Sequence, residues 1–372
     1  MTQCRVLILF STSELGGAER SLTRMVKASK SVEYQLATLA GNGPWSDWAR
    51  TLGLQPLMFG ASANQSEKLS LTAFIRVVRY LRKDPPDILY VCVVRASFFL
   101  RLCRPLLPQL YLIHGVRSNL NSSSNLDKFF RIMESWTHKL VDAWITNSRA
   151  ARETLITACR IPEAKVSVIY NGLEHLPKGV IPLRDRPIEI LTVANLSPRK
   201  GYKEYLEVIR QVVNAYPEAR FVFVGRDDMD GEIQAAIADA GLSDFVRWDG
   251  FQTDVSQWYQ HARVFVLPSL WGEGSPTSIL EAFSFNVPVI AYSNDGIPEL
   301  VSDSVDGYLV ANNNRNLLAA KILSLLKNIQ VAQAFGDAGR IKIEQRFTLE
   351  KCAVNHASFF LELLKKTSKQ KI

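Results

Sequence analysis

The stretch Trp271–Glu281, WGEGSPTSILE, decides how this chain is read. It follows Val264–Leu267, an apolar run with the length and branching of a buried strand, and it opens a helix. Ser275 is placed to cap that helix and Pro276 to be its first residue. A helix head leaves amide N–H groups unpaired, and with the helix dipole these favour an anion. Glu273 stands just before the helix, and Glu281 lies nearly two turns into it. Two carboxylates flanking an anion site suit a ligand with phosphate in the middle and hydroxyls at both ends. A nucleotide sugar has that shape. An ordinary capped helix with two solvated glutamates is the simpler alternative, and the flanking GEGSPTSILEA and PVIAYSNDGIPELV weigh against it.

Upstream, Val193–Gly201 (VANLSPRKG) also joins a strand to a helix. Arg199 and Lys200 at a strand's carboxyl end suit phosphate, the first as a fork and the second as a compact charge. Around these motifs, short β-branched runs alternate with amphipathic stretches, in two series. Val6–Phe10, Tyr34–Leu39, Ile88–Val91, Tyr111–Ile113, Ala143–Thr146 and Val166–Ile169 form the first series of strands. Ile188–Val193, Phe221–Val224, Phe245–Trp248, Val264–Leu267 and Val287–Ala291 form the second. Such alternation predicts two α/β domains, each a doubly wound parallel sheet, with a ligand cleft between them at the strands' carboxyl ends. The proline-rich 174–187 reads as the linker. The domains are expected at 1–180 and 187–352, with a terminal helix, 353–372, packing back on the first.

With these motifs the chain resembles glycosyltransferase family 4, which has the GT-B fold of two facing Rossmann-like domains. The resemblance rests on Glu273–Glu281, Pro288-Val289-Ile290, Asp295-Gly296, Pro298-Glu299-Leu300 and Asp306-Gly307, and it covers nearly the whole chain. It implies a nucleotide-diphosphate sugar donor, with a UDP-sugar favoured over GDP-mannose, and retention of anomeric configuration. It implies Glu281 on the ribose hydroxyls, Glu273 on the transferred sugar, and the backbone of Gly274, Ser275, Pro276 and Thr277 on the diphosphate. Lys200 is implied on the diphosphate with help from Arg199, while Asn195 stands where many members carry arginine. Gly16 and Gly17 of G-G-A-E-R would face the diphosphate, and Glu19, Arg20 and Arg117 fall on the acceptor side. His114 would touch the transferred sugar; with Lys200 and Glu273 it completes the expected catalytic set. Gly225, Arg226 and Phe251 would lie near the base. No metal or other cofactor is expected: Asp227, Asp228 and Asp230 follow a strand end and read as a loop.

Composition bounds the rest. The 372 residues are 47% hydrophobic and 22% charged, enough to build two cores and inconsistent with disorder. Five cysteines without a C-x-x-C pair suit a reducing cytosol, and no apolar run approaches a membrane span. The net charge is +8, with 25 Lys+Arg against 14 Asp+Glu through Arg186 and 15 against 21 from Ile188 to Lys351. Leu71–Lys83, Arg95–Arg104 and Lys128–Arg131 interleave cations with apolar residues, and Lys365, Lys366, Lys369 and Lys371 end the chain. A solvated basic face explains these stretches, as does an anionic membrane surface met from the cytoplasmic side. The expected acceptor is a glycan or lipid-linked hydroxyl in cell-surface polysaccharide, lipopolysaccharide or glycolipid assembly. A non-catalytic sugar-nucleotide-binding or membrane scaffold on the same fold is the alternative. Nucleic acid is not expected as a partner, since no recognition motif accompanies the charge.

Overall fold

The computed structural model describes residues 4–61, 70–92, 94–119, 125–174 and 176–368. Lys369 and Lys371 of the basic tail lie outside the described residues, as do His175 and the side chains of Arg95 and Lys366. The chain forms two compact units, Met1–Glu174 with Leu349–Ile372, and His175–Thr348.

The first unit contains β1 (Arg5–Phe10), α1 (Gly17–Ala28), β2 (Glu33–Thr38), α2 (Pro44–Thr51), β3 (Leu57–Met58), α3 (Leu71–Lys83) and β4 (Ile88–Val91). It continues with α4 (Val94–Leu102), β5 (Tyr111–Val116), α5 (Asn125–Thr137), β6 (Ala143–Thr146), α6 (Arg149–Thr157) and β7 (Val166–Val168). The second unit contains β8 (Glu189–Val193), α7 (Tyr202–Ala215), β9 (Arg220–Val224), α8 (Glu232–Asp239), β10 (Val246–Trp248) and α9 (Ser256–His261). It closes with β11 (Ala262–Leu267), α10 (Thr277–Ser284), β12 (Val289–Tyr292), β13 (Gly307–Val310), α11 (Arg315–Lys327) and α12 (Ile329–Arg346). Helix α13 (Leu349–Ser368) returns to the first unit.

All neighbouring strands pair parallel, in the orders β3-β2-β1-β4-β5-β6-β7 and β10-β9-β8-β11-β12-β13. Both are doubly wound. The strand order reverses between β1 and β4, and again between β8 and β11, and such points hold ligands at the strands' carboxyl ends. Strand β1 shows why continuous apolar runs mark these sheets. Leu7 and Leu9 enter the core beneath α3, α4 and α6, whereas Val6, Ile8 and Phe10 enter the core shared with α1 and α13.

The unit boundaries fall earlier than the sequence suggests. Prolines in 174–187 report the absence of an α-helix, not the absence of packing. Leu183 is wholly buried in the second core. Buried Arg186 donates to the carbonyls of Ile181 (2.8 Å), Tyr259 (3.1 Å), Ala262 (2.7 Å) and Phe285 (2.7 Å). At the other end, α13 places Leu349, Cys352, Ala353, Ala357 and Phe360 in the first unit's core, so the chain returns there at 349 rather than 353.

Partition by unit sharpens the charge asymmetry: 27 Lys+Arg against 15 Asp+Glu in the first, 17 against 21 in the second. Of the basic stretches, α3 carries its cations outward over a buried stripe, as both a solvated face and a membrane-facing one would. Ala73, Phe74, Val77 and Leu81 are buried while Arg79, Arg82 and Lys83 are exposed. In the Arg95–Arg104 stretch Arg101 is no surface cation, since it has no exposure at all. Among the described residues, no helix is long and apolar enough to cross a membrane.

Candidate functional site

The loops after β8 and β11 meet at the second unit's switch point because Gly201 lets them. Its φ is 69°, and a Cβ there would stand 2.4 Å from the Pro268 carbonyl oxygen. The Leu270 amide donates to the Arg199 carbonyl at 2.8 Å. This approach sets Lys200 against Glu273 as a buried ion pair. Arg199, half exposed, stands 3.7 Å from the same carboxylate oxygen. Burial pulls the Lys200 ammonium below its ordinary value, with Glu273 opposing. Burial acts to raise Glu273, yet Lys200 and then Arg199 hold its carboxyl below the usual range. Glu273 is therefore a carboxylate near neutrality, held against the Lys200 nitrogen. Among the described residues Glu273 is the hydrogen-bond partner of Lys200, whose ammonium carries three donors.

The loop that carries Glu273 is clasped by Asp295. Asp295 Oδ2 accepts from the amides of Gly272 (2.6 Å) and Glu273 (3.1 Å), from a residue in the left-handed region (φ 47°). The sequence marks Asp295-Gly296 as a signature but gives it no task. Beyond this loop, the expected cap shifts by one residue. Pro276, extended at ψ 117°, is the N-cap of α10, and Thr277 is the first helical residue; a proline cap supplies no side-chain hydrogen bond to the helix head. Gly274 and Ser275 are buried before it, with Pro276 and Thr277 half-buried. Glu281 is thus one turn into the helix, not nearly two. Its Oε2 lies 3.1 Å from the hydroxyl of Tyr259, a buried residue of α9 that sequence reading missed.

Asn195 is used within the fold. Its Oδ1 accepts from the Arg226 amide (3.2 Å) and its Nδ2 donates to Asp228 (3.3 Å). Gly225 is tied just as closely, since a Cβ there would stand 2.1 Å from the Ala194 carbonyl oxygen. Arg226 pairs with Asp228 at 2.6 Å, and Phe251 is exposed beyond β10. Asp227 accepts from the amides of Met229 and Gly231, so this acidic run is the loop its sequence suggests. No three His, Cys, Asp or Glu cluster as metal ligands among the described residues.

In the first unit, Gly16 is the N-cap of α1 and Gly17 its exposed first residue. A Cβ on Gly16 would stand 2.6 Å from Glu19 Oε2. Burial raises the Glu19 carboxyl, while its own amide, Arg117 and the Gly16 amide oppose. Glu19 thus folds back onto the helix head in the manner of a capping glutamate. Arg20 follows it, half-buried, in the same turn. Arg117, beyond β5, donates to Ser21 Oγ (3.2 Å) and to Asn171, while Asn147 donates to the Arg117 carbonyl (3.2 Å).

His114 departs most from expectation. Strand β5 runs on to Val116, so His114 lies inside it, opposite Val91 and Trp144, with no exposure. Its Nδ1 is 2.8 Å from both Arg101 Nη2 and Glu134 Oε1. Arg101 and Glu134, also fully buried, form a two-pronged pair at 3.0 Å, extended by Thr137 (2.8 Å) and Trp144 Nε1 (3.2 Å). Burial lowers the His114 pKa, with Glu134 opposing. Burial acts to raise Glu134, but His114 and Arg101 bring it to about 2. The imidazole is therefore neutral beside a carboxylate. Donation from Nδ1 to Glu134 leaves Nε2 as a lone-pair acceptor, and Nε2 is buried without a partner among the described residues. Sequence reading missed Glu134 and took Arg101 for a surface cation. The available signal was a lone acid and a lone base, each embedded in an apolar run (FFLRL and IMESW).

Residues 15–175 match the family "Glycosyltransferase Family 4" and residues 178–342 match "Glycosyl transferases group 1". The chain belongs to glycosyltransferase family 4 and has the GT-B fold. It is 30% identical over 226 residues to the amylovoran biosynthesis glycosyltransferase AmsK of Erwinia amylovora, covering 58% of this chain and 51% of that one. It is 24% identical over 261 residues to an Escherichia coli UDP-Gal:alpha-D-GlcNAc-diphosphoundecaprenol alpha-1,3-galactosyltransferase, covering 66% and 67%. The match thus spans about half the length of AmsK and about two thirds of the galactosyltransferase. Among solved structures, Anabaena HepE in complex with UDP and glucose superimposes with a TM-score of 0.82 at 19% identity, over 96% of this chain and 100% of that one.

Proposed function

We propose that the chain is a retaining glycosyltransferase that uses a nucleotide-diphosphate sugar, a UDP-sugar before GDP-mannose, and delivers a hexosyl or N-acetylhexosaminyl group. The acceptor is a hydroxyl of a glycan or lipid-linked intermediate in cell-surface polysaccharide assembly. The observation that carries this reading is the Lys200–Glu273 pair, a buried ammonium with donors to spare at the switch point of a doubly wound sheet. The names of the relatives support it: one is a UDP-galactose transferase with a diphosphoundecaprenol acceptor, and HepE holds UDP.

In this reaction the acceptor oxygen bonds to the anomeric carbon as the bond from that carbon to the diphosphate breaks. The acceptor's proton goes to a phosphate oxygen of the departing nucleotide. Negative charge grows on that leaving group, and Lys200, Arg199 and the amides before α10 stabilise it without a metal ion. Glu281 takes the ribose hydroxyls and Glu273 the transferred sugar. Basic charge in the first unit favours peripheral residence at an anionic membrane surface. A panel of UDP-, GDP- and ADP-sugars scored by thermal shift, then incubated with membrane lipid extract and with a chelator, tests this. Stabilisation by a UDP-sugar and chelator-insensitive release of UDP are expected. Unchanged donor affinity and turnover in Glu281→Ala would sink the ribose role.

One observation favours a second reading, donor binding without transfer: His114 is sealed from solvent. Single-turnover nucleotide release that needs a supplied acceptor would exclude it.

A further inference from the structure

Tyr259 of α9 is held at three places. Its backbone carbonyl accepts from buried Arg186 at 3.1 Å. Its ring lies flat against Phe285 at the end of α10, with centroids 5.8 Å apart and planes 16° apart, and leans on Phe265 of β11 at 5.8 Å. Its hydroxyl stands 3.1 Å from both Glu281 Oε2 and the Ser278 carbonyl oxygen of α10. Tyr259 has no exposure, whereas Glu281 is half-buried. A sealed, rigid phenol thus stands behind an acidic residue that is open to the surface in part.

A phenol has one proton, and two acceptors compete for it here. Burial, and after it the Glu281 carboxylate, push the Tyr259 hydroxyl well above its ordinary value, so the proton stays on the oxygen. A bond to a charged oxygen is the stronger of the two, which points the proton at Glu281. That bond fixes Oε2 and does not itself engage Oε1. A glutamate side chain otherwise turns about three bonds and gives up that freedom only on meeting a ligand. A ribose offers hydroxyls on neighbouring carbons, C2′ and C3′, and one carboxylate takes both only when it is turned correctly. A 2′-deoxyribose lacks one of them and leaves an acceptor prepared for it unpaired. We infer that Tyr259 is a positioning residue for Glu281 and that, by fixing this carboxylate, it makes the site select ribonucleoside over 2′-deoxyribonucleoside diphosphate sugars. The inference rests on the ribose role proposed above, and adds the residue that enforces it and the donor class that it turns away.

The test is calorimetry of the full chain with UDP and with 2′-deoxy-UDP, read as the ratio of the two affinities. The wild type should bind UDP about tenfold or more tighter. Tyr259→Phe keeps the ring stack and removes the proton, and should bring the ratio below about twofold, mostly by weakening UDP. Phe285→Leu loosens the ring and keeps the hydroxyl; it should lower the ratio about threefold, and it carries the test should Tyr259→Phe fail to fold. Tyr202→Phe removes a different tyrosine's bond, to the Ala194 carbonyl (2.7 Å), and should leave the ratio within about twofold of the wild type. Circular dichroism melts check that each variant folds. A wild-type ratio kept in Tyr259→Phe overturns the Tyr259 assignment and leaves the ribose role standing. An equal fall in Tyr202→Phe makes the effect a general loosening and overturns the assignment too. A wild type that binds both nucleotides equally overturns the ribose role with it, and one that binds neither overturns the donor reading as a whole.

Discussion

The buried ion pairs Arg101–Glu134 and Lys200–Glu273 differ in how fully their hydrogen bonding is used. In the first unit both prongs of Arg101 meet Glu134, Thr137 takes a further donor, and Trp144 and His114 complete the carboxylate. In the second, Lys200, with three donors as an ammonium, has one carboxylate partner among the described residues, at the strand ends where the sheet's order reverses. Removing charge from water is costly in both places. The first pair meets most of that cost inside the protein, with Arg101 Nε left buried without a partner among the described residues. The second leaves capacity for a ligand with negative charge. Burial, or a spare donor alone, therefore does not separate a structural pair from a functional one; position on the sheet does.

The largest effect that could break this comparison is at Lys200. Lys200→Met should lower turnover by about 100- to 1000-fold and stability by about 3 kcal/mol, read from transfer assays and denaturant melts. Adding Glu273→Gln should restore most of the stability and none of the turnover. Recovery of turnover in the double variant would make the pair structural. Next, Arg101→Met should cost about 3 kcal/mol while changing UDP affinity, measured by calorimetry, less than about twofold.

The third test uses pH. His356 on α13 is fully buried, and burial brings its pKa to about 3. Its folded pKa lies below the unfolded one, so its contribution is present above about pH 6.5 and lost as pH falls. By pH 5 the loss should reach about 2 kcal/mol, and His356→Leu should flatten the fall in melting temperature between pH 7 and 5. Glu134, depressed to about 2, should lose its contribution only below the ordinary carboxylate range. The smallest effect is expected at the clasp. Asp295→Asn should weaken donor binding about tenfold by loosening the Gly272 and Glu273 amides, with little change in stability.

Periodicity and punctuation made most of the fold legible. Leu71–Lys83 is a helix over that very span, and Ile88–Val91 and Ala143–Thr146 are strands as read. Strands β3 and β13 escaped notice because two residues, or a run opened by glycine, carry too little pattern. The second unit's site was legible because its residues cluster in two short loops after β8 and β11. Its geometry was not. That Lys200 meets Glu273 depends on Gly201 passing the Pro268 carbonyl, a contact between residues 67 positions apart. Around His114 still less was legible, since Arg101, His114 and Glu134 come from three separate elements. Long-range pairing of a lone acid with a lone base leaves no local spacing to read.

Helix α13 also sets the order in which the molecule can be completed during synthesis. The core around Val6, Ile8, Phe10 and Tyr90 is closed by Leu349, Cys352, Ala353, Ala357 and Phe360, which the ribosome adds after all 174 residues of the second unit. The second unit's core, Leu183 to Phe335, lies wholly within that span. The part of the chain made later therefore finishes folding first. The part made earlier waits with α1 and α2 over that core and the place of α13 still open, the interval in which a nascent chain most needs a chaperone.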